Sequence, residues 1–395
     1  MRKVLFITWD GPQTSYLEGL FLPIFGAVSE KSDFHFHVMQ FGWADASKQA
    51  VILKAAESVG IPYTFISVHR KPLVTLGTAF TIFKGSRVIT DYCNKNGIDI
   101  LMPRSTFPAM MVLRMKTKLP IVFDADGLPL EERLDFSGLS AKSKQYLFLK
   151  SKERQMLFQA HHIITRSQKA IDWHLKAFPS LDAAKFSVVI NGRDAERFRP
   201  NDEKRKQFRK ELGIHEDDEV FVYCGSLGPQ YGWSQMMAVF EGYRHLRPKS
   251  LFYILTGNME YAHQNVPKHL ASSSIIRKVS FQEVPKYLNM ADVGFAIREP
   301  LPSMKGVAPI KLGEYLLCGL FVVASKGIGD TDRILEKVPG SIVFDHDQDG
   351  AVEETVQALL NRTFDYREAN RKVGVAYFSL AESAASYLRA LNRIV

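Results

Sequence analysis

The sequence predicts an α/β chain built on two open parallel sheets with crossover helices, and three observations carry that prediction. Short apolar runs alternate with longer helix-compatible stretches along most of the chain. Polar or glycine-bearing loops follow these runs at the carboxyl ends of the predicted strands, where open parallel sheets bind ligands. The alternation restarts after the turn Asn191-Gly192, and 395 residues are enough for two domains with full cores.

In the first half the predicted strands are 4–8, 34–40, 63–68, 98–102 and 121–124, with helices over 17–30, 47–59 and 79–94. The opening Met1-Arg2-Lys3 runs straight into the first strand; its apolar run is too short for a signal peptide, and no small-residue cleavage site follows. The strand-end loops present Gly11, then His69 and Arg70, then Arg104, then Asp124 and Asp126. Residues 137–158 read as one or two amphipathic helices, with Lys142, Lys144, Lys150 and Lys152 beside Tyr146, Leu147 and Phe148. Such a stretch either packs an apolar stripe on the core or lies on lipid headgroups. His161 and His162 are adjacent and point apart, so they do not form a chelating pair.

In the second half residues 220–224 begin a new sheet and run into Gly225-Ser226-Leu227-Gly228, small enough for backbone amides to approach a phosphate. Strands at 251–256 and 276–280 follow, the latter leading into a turn from Phe281 to Val284. Residues 291–330 then hold a strand, a small-residue loop, a helix and another strand in succession. Lys305 and Lys311 bracket the loop 303–309, whose small residues, Gly306 among them, allow close backbone approach, and Glu314 falls one helical turn beyond Lys311. A helix start with an ammonium beside it favours an anion, and a carboxylate one turn on accepts hydrogen bonds from a ribose diol. The unit reads as a nucleotide-diphosphate cradle; the plainer alternative is a solvated Lys-x-x-Glu face. The tail from 369 reads as two helices.

Composition narrows the function classes. At 46% hydrophobic and 24% charged residues the chain is of ordinary globular type. Cys93, Cys224 and Cys318 are too scattered for a disulfide framework or a zinc site. No run reaches the roughly 18 to 20 apolar residues of a membrane span. The net charge of +9 comes from one half: residues 1–200 hold 27 Lys and Arg against 18 Asp and Glu, and residues 201–395 hold 24 of each. That asymmetry suits an anionic lipid surface or an anionic acceptor, or serves solubility alone; no nucleic-acid motif accompanies it.

The segment Ala308-Pro309-Ile310-Lys311-Leu312-Gly313-Glu314-Tyr315-Leu316, followed by Gly319 and Val322-Val323, resembles the donor-binding signature of retaining glycosyltransferases of the GT-B fold, family 4. Asn191-Gly192-Arg193-Asp194 with Phe198 and Pro200 resembles the linker that opens their second domain. There are departures. Gly306 stands where the signature has its first glutamate, and Phe321 where it has proline. Ser226 and Tyr231 replace the usual arginine and lysine, leaving Arg298 as a reserve cation. Asp126 stands at an arginine position, and Gly11 lacks a second glycine beside it.

The resemblance implies two Rossmann-like domains facing a cleft: 1–190 completed by a C-terminal helix at about 376–395 on the acceptor side, and 191–375 on the donor side. It implies transfer, with retained configuration and no metal or other cofactor, of a hexosyl-type sugar from a UDP- or GDP-sugar. The acceptor would be a glycan or a lipid-diphosphate-linked glycan of surface polysaccharide synthesis. The protein would be cytoplasmic, with peripheral contact to anionic lipid at the inner face of the cell membrane. Lys305 and Lys311 would stabilise the leaving diphosphate, and Asp126 would position the acceptor hydroxyl. Gly11, Gly225, Ser226, Phe281, Val284, Gly306, Val307, Lys311 and Glu314 would contact the donor, with His69, Arg70, Arg104 and Asp124 on the acceptor side. Two alternatives stay open: a non-catalytic binding subunit of the same fold, and a sugar-nucleotide epimerase using Asp126, Glu131 and His69.

Overall fold

A computed structural model describes residues 1–362 and 366–394; residues 363–365 and Val395, the last residue of the predicted terminal helix, lie outside them. The chain divides into two compact units, Met1–Asn191 with Ser383–Val395, and Gly192–Glu382.

The first unit carries β1 (Arg2–Asp10), β2 (Phe34–Gly42), β3 (Tyr63–Ser67), β4 (Ile100–Pro103), β5 (Val122–Asp126), β6 (His162–Thr165) and β7 (Phe186–Val188). Four strands pair in the order β3-β2-β1-β4 and three in the order β5-β6-β7, all parallel. Parallel bridges Leu101 to Ile121 and Arg104 to Asp124 join the two sets edge to edge. The strand order therefore reverses between β1 and β4, the position at which open α/β sheets form ligand crevices. The predicted helix over 17–30 is a π turn, Leu17–Phe21, continuing into Leu22–Glu30. The stretch 137–158 holds one helix, Lys144–Gln159, because Ser143 caps it by accepting from the Tyr146 amide. The helix Thr106–Leu113 is absent from the sequence reading; it is nearly all apolar and lacks the period that would mark a half-buried face.

The second unit carries β8 (Val220–Cys224), β9 (Leu251–Leu255), β10 (Ser274–Arg277), β11 (Val293–Ala296), β12 (Phe321–Ser325) and β13 (Ser341–Phe344) in one parallel sheet of order β10-β9-β8-β11-β12-β13. Alternate residues feed the two faces. Val220, Val222 and Val322 join one apolar cluster, while Phe221, Tyr223 and Val323 join the other. The sheet again reverses order beside its first strand, between β8 and β11. The helix Ile310–Leu317 lies across this point, seated by Tyr315. A Cβ on Gly294 would meet the Tyr315 ring at 2.6 Å, so glycine there lets the ring lie on β11, and the Tyr315 hydroxyl accepts from the Cys224 amide at 2.9 Å. Two strands and one helix are locked together at the carboxyl edge.

Candidate functional site

In the second unit the segments that converge are the loop after β8, the end of β11 and the start of the helix Ile310–Leu317, which no side chain caps. Lys311 is buried beneath them. Its Nζ donates to Tyr223 Oη at 2.8 Å and sits 4.0 Å from the centre of the Tyr223 ring and 4.4 Å from that of Tyr231. Tyr223 Oη in turn donates to the Ser226 carbonyl. Burial, together with the neighbouring Arg298 charge, pushes Lys311 well below the usual lysine range. Arg298 lies 4.7 Å from the centre of the same Tyr231 ring, and its Nε is buried without a hydrogen-bond partner among the described residues. Tyr231 thus carries two cations, one from the segment after β11 and one from the helix.

Gly225 has φ +142°, and a Cβ there would fall 3.1 Å from Lys311 Nζ, so this loop adopts its path over the ammonium only with glycine. Gly225→Ala is expected to destabilise the protein by about 1–3 kcal/mol in urea unfolding. Gly228→Ala, whose Cβ would meet only Gln230 Oε1 at 3.9 Å, should cost less than half as much. Equal effects would contradict this role for Gly225.

Glu314 is buried, and its Oε1 accepts from Arg193 Nε at 2.8 Å. The Arg193 guanidinium also lies 5.2 Å from the centre of the Phe281 ring, and Arg197 donates to the Phe281 carbonyl at 2.9 Å. The structure therefore links Glu314 to Phe281 through Arg193, which the sequence showed only as part of a linker. The Val284 side chain belongs to the apolar core of the unit, leaving its backbone as the group available to a ligand. Gly306 is buried and Val307 half-buried at the end of the short turn Pro302–Gly306, on which Lys305 stands exposed. Of the two lysines, Lys311 is fixed under the loop and Lys305 faces solvent.

In the first unit Arg104, Asp124 and Asp126 come together, joined by Asp10 and Arg166. Arg104 Nη2 meets Asp126 Oδ2 at 2.6 Å, and its Nη1 lies 3.6 Å from Asp10 Oδ1. Arg166 Nη2 meets Asp124 Oδ2 at 2.7 Å, and its Nε lies 3.5 Å from Asp126 Oδ1. Burial pushes the Asp124 carboxyl up against the opposing pull of Arg166. Three carboxylates face two guanidiniums, and only Asp126 is open, with its side chain 29% exposed against 5% for Asp10 and 0% for Asp124. Asp126 and Ser105 both have left-handed backbones, at φ +62° and +65°, a strained conformation for non-glycine residues at two adjacent strand ends.

His69 and Arg70 are not part of this cluster. They follow β3, four strands from β5 and so roughly 19 Å away at about 4.8 Å per strand. Gly11 follows β1 and packs against Trp43, where a Cβ would meet the indole at 3.1 Å. Glu131 is buried and receives Lys150 Nζ at 2.6 Å. His162 is buried against Ser187 Oγ, and burial pushes it down to about 4. Among the described residues no group of three or more His, Cys, Asp and Glu side chains is placed to hold a metal ion, and no helix is long and apolar enough to cross a membrane.

Residues 204–374 match the family described as Glycosyl transferases group 1. No curated protein matches the chain. Among solved structures, Anabaena HepE in complex with UDP and glucose superposes with a TM-score of 0.71 at 15% identity, over 99% of this chain and 100% of that one. Sucrose-phosphate synthase from Thermosynechococcus elongatus gives 0.70 at 13% identity, over 100% and 99%. WaaG, a glycosyltransferase involved in lipopolysaccharide biosynthesis, gives 0.62 at 16%, over 98% and 95%. At these identities the likeness is one of fold, and the fold is GT-B: two Rossmann-like domains with parallel sheets.

Proposed function

We propose, for a chain whose residues 204–374 carry the Glycosyl transferases group 1 domain, that it transfers a hexosyl-type sugar from a UDP- or GDP-sugar to a glycan or lipid-diphosphate-linked acceptor, with retention and without a metal. The observation that carries this reading is the pair of cations on Tyr231. Lys311 and Arg298 are held at the carboxyl edge of the second sheet, and neither forms an ion pair among the described residues. Positive charge gathered at such an edge without a carboxylate partner is a site for an anion. HepE, of the same fold, is known in complex with UDP and glucose and with UDP-glucose.

In this reading the diphosphate lies on Lys311, Arg298 and the loop Gly225-Ser226, and Glu314, oriented by Arg193, accepts the ribose hydroxyls. Breaking the bond from the anomeric carbon to phosphate oxygen leaves charge on the diphosphate, which the two cations stabilise. The acceptor oxygen bonds to the same carbon on the same face, and its proton passes to the departing phosphate oxygen. Asp126, the open carboxylate of the first unit, accepts the acceptor hydroxyl and orients it. Surface polysaccharide synthesis at the inner face of the cell membrane, with peripheral contact to anionic lipid, is the setting that the basic first half favours. An epimerase would need Asp126, Glu131 and His69 to converge; Glu131 is instead held by Lys150, and His69 lies at the far edge of the sheet.

The test is a thermal-shift panel of UDP-, GDP-, ADP- and CMP-sugars. A UDP- or GDP-sugar should raise the unfolding temperature; a shift with neither contradicts the reading. Lys311 adds a pH signature. Its proton is held weakly in the free protein, and an arriving diphosphate strengthens that hold, so binding takes up a proton. Affinity should fall by about tenfold per pH unit above the lowered Lys311 pKa, and titrations in two buffers of different ionisation heat should show the uptake. A pH-independent affinity would contradict it.

A further inference from the structure

The first unit contains a cavity of about 880 Å³ that the reaction described above does not use. It lies at the carboxyl ends of β1, β2 and β3, with walls that include Trp9, Trp43, Ile82, Phe83, Phe107 and Phe148. Around it the helix Val74–Asn96 leaves Val74, Leu76, Phe80 and Phe83 exposed, and the helix Lys144–Gln159 leaves Leu147 and Phe148 exposed, Phe83 by 64% and Phe148 by 52%. Exposed apolar surface concentrated beside a concave site marks a binding surface.

The same wall carries three cations, each on the face of an aromatic ring. Arg70 lies 4.4 Å from the centre of Trp43, Arg114 4.6 Å from that of Phe83, and Lys152 Nζ 5.6 Å from that of Phe148. None of the three pairs with a carboxylate among the described residues. An occupant must therefore be apolar inside and anionic at the rim. A peptide segment would press backbone amides against the apolar part of the wall, formed by Trp9, Trp43, Ile82, Phe83 and Phe107, at a desolvation cost. A second copy of the chain would set three cations against a molecule of net charge +9. A hydrocarbon chain ending in a phosphate satisfies both demands.

We propose that this cavity seats the hydrocarbon chain of a lipid phosphate or diphosphate, with the phosphate on Arg70, Arg114 and Lys152. The proposal rests on the transferase reading for its meaning: of the two acceptor classes given there, it selects the lipid-linked one. It states in addition that the lipid chain enters the protein.

Trp9 and Trp43 stand in the wall, so intrinsic fluorescence of the full chain reports occupancy. Dodecyl phosphate at monomeric concentrations should change the fluorescence saturably, inorganic phosphate at the same concentration should not, and dodecyl maltoside should bind about tenfold more weakly. Arg114→Glu and Phe83→Glu, both at exposed positions and checked by an unchanged unfolding temperature, should each weaken dodecyl phosphate about tenfold. No saturable change, equal binding of the maltoside, or affinities unmoved in both variants would overturn the proposal. So would binding to vesicles of anionic phospholipid with none to the monomeric amphiphile, which would mark a membrane-adhering patch. Thermal shifts with UDP and GDP, run in parallel, separate the two readings. Nucleotide binding without amphiphile binding sinks the cavity alone; amphiphile binding without nucleotide binding sinks the transferase and leaves a lipid-phosphate site.

Discussion

Replacing Lys311 by methionine is expected to weaken nucleoside-diphosphate binding by about two orders of magnitude while leaving the free protein as stable as before, or more so. The two halves of this result have one cause. The ammonium is buried, has no ion-pair partner among the described residues, and is disfavoured by burial and by the charge of Arg298. A neutral side chain of similar length removes that penalty, and Tyr223 Oη keeps its bond to the Ser226 carbonyl. The penalty is recovered only when an anion arrives, because charge-assisted hydrogen bonds to phosphate in a dry site are strong. Isothermal titration of UDP and GDP, with urea unfolding of the free protein, checks both halves. Loss of stability with unchanged binding would make Lys311 a packing residue.

Asp124→Ala should destabilise the first unit by about 3–5 kcal/mol, a fall of roughly 10 °C in its unfolding temperature. Asp124 is fully buried and holds Arg166, itself buried, at 2.7 Å; it also accepts the Asp126 amide at 2.9 Å. Removing it leaves a buried guanidinium with only the 3.5 Å approach to Asp126. The double variant Asp124→Ala with Arg166→Leu should recover most of the loss, since the cost lies in the stranded charge and not in a missing attraction. Urea unfolding followed by intrinsic fluorescence reads both. A loss below about 1 kcal/mol in the single variant, or none recovered in the double, would contradict the account.

The parallel architecture was legible because buried strands in such sheets are short apolar runs, and those at residues 4–8, 34–40 and 220–224 fall within or on observed strands. β13 and the helices Thr106–Leu113 and Thr331–Leu335 were not legible, being short or apolar without a clear period, whereas Ala351–Leu360 does carry a helical period, with Val352, Val356 and Leu359 on one face, and was readable but missed. At the site, spacing along one helix placed Lys311 and Glu314 on the same element. Arg298 was readable as a reserve cation, but the rings of Tyr223 and Tyr231 and the bond from Arg193 to Glu314 were not, because other elements bring them in. The charge relation was also hidden. Lys305 and Lys311 look alike in sequence, but one stands on a surface turn and the other is sealed beneath Gly225. In the first unit Arg104, Asp124 and Asp126 were readable as strand-end residues, and Arg166 after β6 offered the same signal. Tyr387 did not; it reaches this unit from the far end of the chain, and its hydroxyl is buried without a hydrogen-bond partner among the described residues.

The account depends on where a diphosphate binds, and a crystal of the protein grown with UDP tests that directly. The diphosphate should lie within hydrogen-bond reach of Lys311 Nζ and the Arg298 guanidinium, beside Gly225 and Ser226, with the ribose on Glu314. A nucleotide bound elsewhere, with the two cations still packed on Tyr231 and no phosphate near them, would contradict it.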